Sequence, residues 1–168
     1  ILCYAGKYAA GTGASACEHC VAGKYSTARG NDAEGDCVRC VAGKYAETDG
    51  NPDANKCLSC PAGTYGKDDG AASRSVCTEC PKGTYLSSMG NDDEEDCTVC
   101  AAGKYSDALG AASSSTCSIC GMGKYAPGTG NTAESDCIDC VAGKYSASSA
   151  ATSATTCIDC VAGKYSSV

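Results

Sequence analysis

The sequence predicts a small, disulfide-rich fold, mostly β or irregular: an elongated rod of tandem β-hairpin-like repeats of about 20 residues, with no conventional hydrophobic core. Three features lead there. Cysteine pairs recur at a fixed offset, a glycine-tyrosine motif follows each pair, and the chain has no Phe or Trp with which to fill an ordinary core.

The period comes first, because repeats decide the architecture. An offset of 20 residues brings Cys17/Cys20, Cys37/Cys40, Cys57/Cys60, Cys77/Cys80, Cys97/Cys100, Cys117/Cys120, Cys137/Cys140 and Cys157/Cys160 into register. Behind the second cysteine of each pair comes x-x-Gly-x-Tyr: Gly23/Tyr25, Gly43/Tyr45, Gly63/Tyr65, Gly83/Tyr85, Gly103/Tyr105, Gly123/Tyr125, Gly143/Tyr145 and Gly163/Tyr165. Gly6/Tyr8 behind Cys3 belongs to the same set. A further glycine follows five residues after the tyrosine, at Gly30, Gly50, Gly70, Gly90, Gly110 and Gly130, with Ala150 in its place later: one turn signal per repeat. The chain therefore divides into a shortened first repeat at 1–19, tandem repeats at 20–39, 40–59, 60–79, 80–99, 100–119, 120–139 and 140–159, and the start of another at 160–168. Beginning without Met and stopping within a unit, it reads as a fragment of a longer array. In the first repeat Tyr8 to Cys17 is nine steps where Tyr25 to Cys37 is twelve, which suggests an irregular joint.

Composition explains why the cysteines are needed. In 168 residues there are two Met and ten Tyr, and the apolar content is mainly Ala and Cys. A domain of this length would ordinarily bury large side chains, at about 25 cal/mol per Å² of apolar surface. Cross-links must stand in for that core. Seventeen cysteines in such a chain signal a disulfide scaffold in an oxidising compartment, hence an extracellular or cell-surface location. The net charge of −7, with no basic face, argues against nucleic acid. No apolar run approaches the roughly 18 residues of a membrane span. With a single His, His19, and no distinctive nucleophile or recurring acid pair, no catalytic or cofactor-binding residue is assigned.

Within a repeat no apolar 3.6-residue period is long enough for a helix. Gly-Lys-Tyr-Ser and the residues around each Cys-x-x-Cys read as brief strands, joined by turns such as Arg29-Gly-Asn-Asp32 and Asp49-Gly-Asn-Pro52. From residue 71 on, the segments after the turn glycine alternate between neutral (71–76, 111–116, 151–156) and acidic (91–96, 131–136). If successive repeats turn by about half a revolution, the array has one acidic and one hydroxyl-rich face. Duplication of a two-repeat block accounts for the alternation equally well.

Paired Cys-x-x-Cys also describes four-cysteine zinc sites. Zinc modules group their pairs two by two, with different segments inside and between sites; here Gly-x-Tyr follows every pair alike. Disulfides are the favoured reading and no metal site is assigned. A redox role needs one reactive pair at a helix start, and eight equivalent pairs on no visible helix do not fit it.

Cys60-Pro-Ala-Gly-Thr-Tyr65 and Cys80-Pro-Lys-Gly-Thr-Tyr85, each followed by a loop and Cys-x-x-Cys, resemble the ephrin-receptor-like cysteine-rich repeat. They are also similar to the single-disulfide module of tumour-necrosis-factor-receptor cysteine-rich domains. The resemblance spans nearly the whole chain, and long runs of this repeat are typical of large surface proteins of algae and other protists. It implies that the second cysteine of one pair bonds the first of the next: Cys3–Cys17, Cys20–Cys37, Cys40–Cys57, Cys60–Cys77, Cys80–Cys97, Cys100–Cys117, Cys120–Cys137 and Cys140–Cys157, with Cys160 left unpaired in the fragment. Each such loop contributes roughly 3 kcal/mol through the unfolded chain.

The repeated glycine then supplies a backbone conformation or a close approach. The tyrosine lies across the disulfide as a miniature core, or forms an exposed ladder for sugar or another chain. No Asn-x-Ser/Thr sequon is present. Ser113, Ser114, Ser115, Thr116, Ser148, Ser149, Thr152, Ser153, Thr155 and Thr156 are candidates for O-linked sugar, or simply solvated turns. Asp92-Asp-Glu-Glu-Asp96 lacks the alternating ligands and glycine of a calcium loop and reads as a solvated turn. The functional expectation is a structural extracellular protein, a subunit or shaft of a filament, appendage or coat that assembles with copies of itself and extends at roughly 20 Å per repeat. The alternative is the stalk or ectodomain of a surface receptor or adhesin whose ligand-binding region lies elsewhere.

Overall fold

Each repeat starts with a turn that its glycine makes possible. In the repeat 20–39 the Lys24 N–H donates to the Val21 carbonyl at 3.1 Å, and Gly23 between them has φ +82°. That is the type II pattern, which needs a positive φ at its third residue. The chain leaves the turn as the strand Lys24–Tyr25 and pairs antiparallel with Val38–Arg39, Lys24 opposite Arg39 and Tyr25 opposite Val38. Aromatic and β-branched side chains suit such a half-buried pleat. Between the strands lie the Gly30 turn, at φ +76°, and a single 3-10 turn, Glu34–Asp36. The Asp36 carboxylate closes that turn by accepting from the Asp32 and Ala33 N–H groups at 3.1 and 3.2 Å.

The build recurs along the chain. Lys44–Tyr45 pairs with Leu58–Ser59 in one compact unit; Thr84–Tyr85 with Thr98–Val99, Lys104–Tyr105 with Ser118–Ile119, Lys124–Tyr125 with Ile138–Asp139 and Lys144–Tyr145 with Ile158–Asp159 in another. The first unit comprises Ile1–Thr78 with Ser88–Asp96, the second Glu79–Ser87 with the chain from Cys97 on. The structure, a computed structural model, describes residues 1–162 and 164. Gly163 and Tyr165, expected to carry the motif of a further repeat, lie outside the described residues.

Two-residue strands cannot hold a hairpin by themselves. Disulfides close the loops at Cys3–Cys17, Cys20–Cys37, Cys40–Cys57, Cys60–Cys77, Cys80–Cys97, Cys100–Cys117, Cys120–Cys137 and Cys140–Cys157, with Cα–Cα distances of 5.6 to 5.9 Å. Cys160 has no disulfide partner among the described residues. The buried set is dominated by these cysteines and by alanines, with Tyr8, Tyr45, Tyr65 and Leu86 as its large members.

Backbone hydrogen bonds tie each repeat to the next. In the first unit Gly23 N–H donates to Ala46 C=O at 2.8 Å, Ser26 N–H to Asn51 C=O at 3.1 Å, and Gly50 N–H back to Cys20 C=O at 2.7 Å. The second unit repeats the set with Gly103 to Ala126 at 2.8 Å, Ser106 to Asn131 at 3.0 Å and Gly130 to Cys100 at 2.8 Å. The short first repeat is no irregular joint. Its Gly6 and Ala9 N–H groups donate to Ser26 and Asn31 at 2.8 and 3.0 Å, and Gly30 returns a bond to Cys3 at 2.8 Å; its loop is simply shorter, closing over 14 residues instead of 17.

The expected advance of about 20 Å per repeat is too long. Within the first unit Gly23 touches the Gly70 carbonyl, two repeats on. Gly70 lies seven residues past Gly63, the counterpart of Gly23, and seven residues reach at most about 24 Å. Two repeats therefore advance by well under 40 Å, because the turn folds back over two neighbours.

Candidate functional site

The residues repeated most faithfully meet at the joints between repeats. Gly23 is buried with φ +82°, and a Cβ there would overlap the Gly70 carbonyl. Gly6 stands in the same way against Gly50 and Gly43 against Gly90; in the second unit Gly83 stands against Gly130 and Gly103 against Ala150. The glycine thus serves two purposes at one atom: a turn that L side chains resist, and the direct approach of two backbones. Ala150 holds the turn position as the one non-glycine residue at positive φ among those described, at +53°.

The tyrosine is a core residue, but not of its own loop. Tyr8 packs with Cys20 and Cys37, Tyr25 on Cys40 and Cys57, Tyr45 with Cys60 and Cys77 and Tyr105 on Cys120 and Cys137. In each case the ring covers the disulfide of the following repeat. This corrects the expectation of a core within one unit: a lone loop has nothing to lay over its ring, so the apolar contact is made between neighbours. Burial is uneven, from 7 to 8% exposed at Tyr65, Tyr8 and Tyr45 to 44% at Tyr145. Tyr8 also donates its hydroxyl to Glu18 at 2.9 Å, and that bond, helped by burial, raises its pKa above the ordinary 10.0.

Two further positions complete the joint and were not singled out from the sequence. The residue after the tyrosine is enclosed at Ala9, Ser26, Ala46, Leu86, Ser106, Ala126 and Ser146. The residue after the turn glycine is enclosed at Asn31, Asn51, Ala71, Ala111 and Ala151. Asn51 donates to the carbonyls of Lys24 at 3.3 Å and Thr48 at 2.5 Å, bonds that an alanine at the same place does without. From residue 71 on, this slot holds Ala71, Asn91, Ala111, Asn131 and Ala151 at the head of the neutral and acidic segments, the alanines buried and the two asparagines partly so. A small residue in the first slot in all but one repeat was the available signal.

The acidic turns are closed on their own backbone. Asp136 accepts from Thr132 and Ala133 N–H at 2.7 and 3.1 Å, which holds its carboxyl below the ordinary range. Asp93, accepting first from the Glu95 N–H, is lowered likewise. Among the described residues no group of three or more His, Cys, Asp or Glu side chains is placed to hold a metal ion.

The ten candidate O-glycan positions fall into two groups. Ser113 and Ser153 accept from Ser115 and Thr155 N–H and start the turns Ser114–Thr116 and Ala154–Thr156. The hydroxyls of Ser115, Thr116, Thr155 and Thr156 are bonded within the same turns. Ser114, Ser148, Ser149 and Thr152 are exposed.

The profile of a family described as "Tyrosine-protein kinase ephrin type A/B receptor-like" matches residues 27–77 and 74–117, two copies in tandem. It is a non-catalytic, receptor-type cysteine-rich module. No curated protein matches the chain.

Proposed function

The chain belongs to this ephrin type A/B receptor-like family of cysteine-rich repeats, and from that membership we propose that it is an extracellular spacer: a stalk or ectodomain segment of a surface receptor or adhesin whose ligand-binding region lies elsewhere. The observation that carries this reading is the joint. The joints at Gly6, Gly23, Gly43 and Gly103 use the same backbone bonds, a tyrosine laid on the neighbouring disulfide and a glycine with no room for a side chain. Such joints resist bending, which is what a spacer needs. The family's usual place in extracellular receptor regions supports the location. O-linked sugar at Ser114, Ser148, Ser149 and Thr152 would leave the joints untouched.

A second reading, a subunit of a surface filament made of copies of the chain, draws on the exposed turns. Glu94–Asp96 and Glu134–Asp136 are acidic, Ser114–Thr116 and Ala154–Thr156 neutral, and none of the four buries a residue. Alternating patches along an array multiply weak contacts with a neighbour. Negative-stain images of the native material separate the two. Isolated or membrane-attached chains support the spacer; ordered fibres that disappear when residues 111–116 and 151–156 are made acidic support the filament.

A further inference from the structure

A shallow groove in the first unit lies between two hairpins, lined by Tyr25, Arg39, Val41, Lys44 and Ala54 over the Cys40–Cys57 disulfide. We propose that it binds one sulfated residue of an extracellular polysaccharide. It is a contact beyond the spacer role and independent of it, since stalk and filament alike would carry it.

Strand register explains why this groove is cationic on an acidic chain. In two repeats of the second unit the lysine of the first strand faces an acid on the second, Lys124 facing Asp139 at 3.2 Å and Lys144 facing Asp159 at 2.7 Å, while Lys104 faces Ile119. At the same register here Lys24 faces Arg39 and Lys44 faces Ser59. Like charges directly opposite are destabilising. Glu34, 2.7 Å from Lys24, relieves only the first member of that pair. The side chains of Arg39 and Lys44 make no ion pair or hydrogen bond with any described residue. The acids of the repeat are committed elsewhere, Glu47 to the Arg74 N–H at 3.1 Å, Asp49 to the Ala22 N–H at 2.7 Å and Asp53 to the Asn55 N–H at 2.8 Å. The stem of Arg39 rests on the Gly70 turn, where a Cβ would come within 3.2 Å of its Cγ and Cδ. Its guanidinium is thus held at the groove with its donors unused.

The walls select the class of anion. Tyr25 and Val41 offer an aromatic and an aliphatic surface for the C–H face of a sugar ring. A guanidinium takes sulfate or carboxylate through two parallel bonds, with the lysine as a nearby point charge. An acidic peptide fits less well, because strands of two residues give an extended chain no ladder to join.

The test titrates the full, disulfide-intact, ¹⁵N-labelled chain with a sulfated heparin hexasaccharide, its desulfated counterpart, inorganic sulfate and hexaglutamate. Expected are amide shifts confined to Tyr25, Arg39, Val41, Lys44 and their neighbours with the sulfated sugar alone, and affinity that falls with salt. Arg39→Asp, which places at 39 the residue type found at 139 and 159, and Lys44→Thr, the type found at 64 and 84, should each weaken binding about tenfold or more, the scale of one lost charge-assisted contact. Because the fold already carries those residue types at that register, both variants should keep the parent spectrum elsewhere. Absence of shifts, shifts spread over all lysines and unchanged in both variants, or equal binding of inorganic sulfate or hexaglutamate would each overturn the proposal.

Discussion

Gly43→Ala compared with Gly123→Ala isolates the contact between a repeat and its second neighbour. Both glycines have φ +79°, and both donate their N–H to the following repeat, to Gly66 C=O at 2.7 Å and Ser146 C=O at 2.9 Å. They differ in one respect. A Cβ at 43 would overlap the Gly90 carbonyl and lie 3.0 Å from the Asn91 oxygen, whereas one at 123 meets nothing within 4 Å. The backbone term, about 1–2 kcal/mol for an L residue in this region, is common to both variants. Overpacking adds about 1–3 kcal/mol at 43 alone. Since the obstacle is backbone rather than a side-chain tip, the Gly90 turn must move, which strains the Gly90 N–H bond to Cys60 C=O, 2.8 Å in the parent. Native-state hydrogen exchange reads the two variants residue by residue, which suits an array whose unfolding need not be all-or-none. At about 1.4 kcal/mol per tenfold, Gly43→Ala should speed exchange at Gly90 and Asn91 by about 5- to 150-fold more than Gly123→Ala speeds it around its own turn. Equal effects of the two substitutions would refute the lock between second neighbours.

Two further outcomes concern the joints and one an acidic turn. Tyr45→Ala should cost about 3 kcal/mol, as large buried rings do, and raise exchange in the repeat 60–79 whose disulfide it covers; Tyr145→Ala, at a residue 44% exposed, should change little. Ala150→Gly should stabilise its turn by somewhat less than the roughly 1–2 kcal/mol of strain that it relieves, because glycine is freer in the unfolded chain; slower exchange of the residue-150 N–H, which donates to Cys120 C=O at 2.8 Å, checks this. Asp136 titrates below its ordinary 3.8 because the Thr132 and then the Ala133 N–H favour its charged form. A lowered folded-state pKa gives stabilisation that is present above the unfolded value and lost as pH falls through the folded one. The turn Glu134–Asp136 should hold above pH 3.8 and loosen below it, with the Thr132 and Ala133 amide shifts following the same titration.

Periodicity made the unit legible. The 20-residue offset and the motif Gly-x-Tyr place a turn, a short strand and a return strand in each repeat, and the lack of Phe and Trp announces an interior made of cysteine and small side chains. What sequence did not reveal is which repeat each contact belongs to. A tyrosine recurring once per unit reads as that unit's core; that Tyr45 covers Cys60–Cys77 follows from how the strand hands its ring forward, a relation between repeats that a self-similar sequence leaves open. The same ambiguity hid the second-neighbour contact of Gly23 with Gly70 and made the advance per repeat look too long. It also hid the role of Asn51, which reads as a turn residue beside Gly50 and is in fact 3% exposed. The groove at Arg39 and Lys44 was out of reach for another reason: the lysines look alike in sequence, and only strand register shows which of them face an acid.

The central claim is that one cross-link per loop, running from the second cysteine of a pair to the first of the next, makes the unit on which every joint is built. Proteolysis without reduction, followed by mass spectrometry and metal analysis of the native chain, tests it directly. The account predicts linked peptides for Cys20–Cys37 and Cys40–Cys57 and no bound zinc. Bonds within the Cys17/Cys20 or Cys37/Cys40 pairs, or alkylatable thiols with stoichiometric zinc, would contradict it.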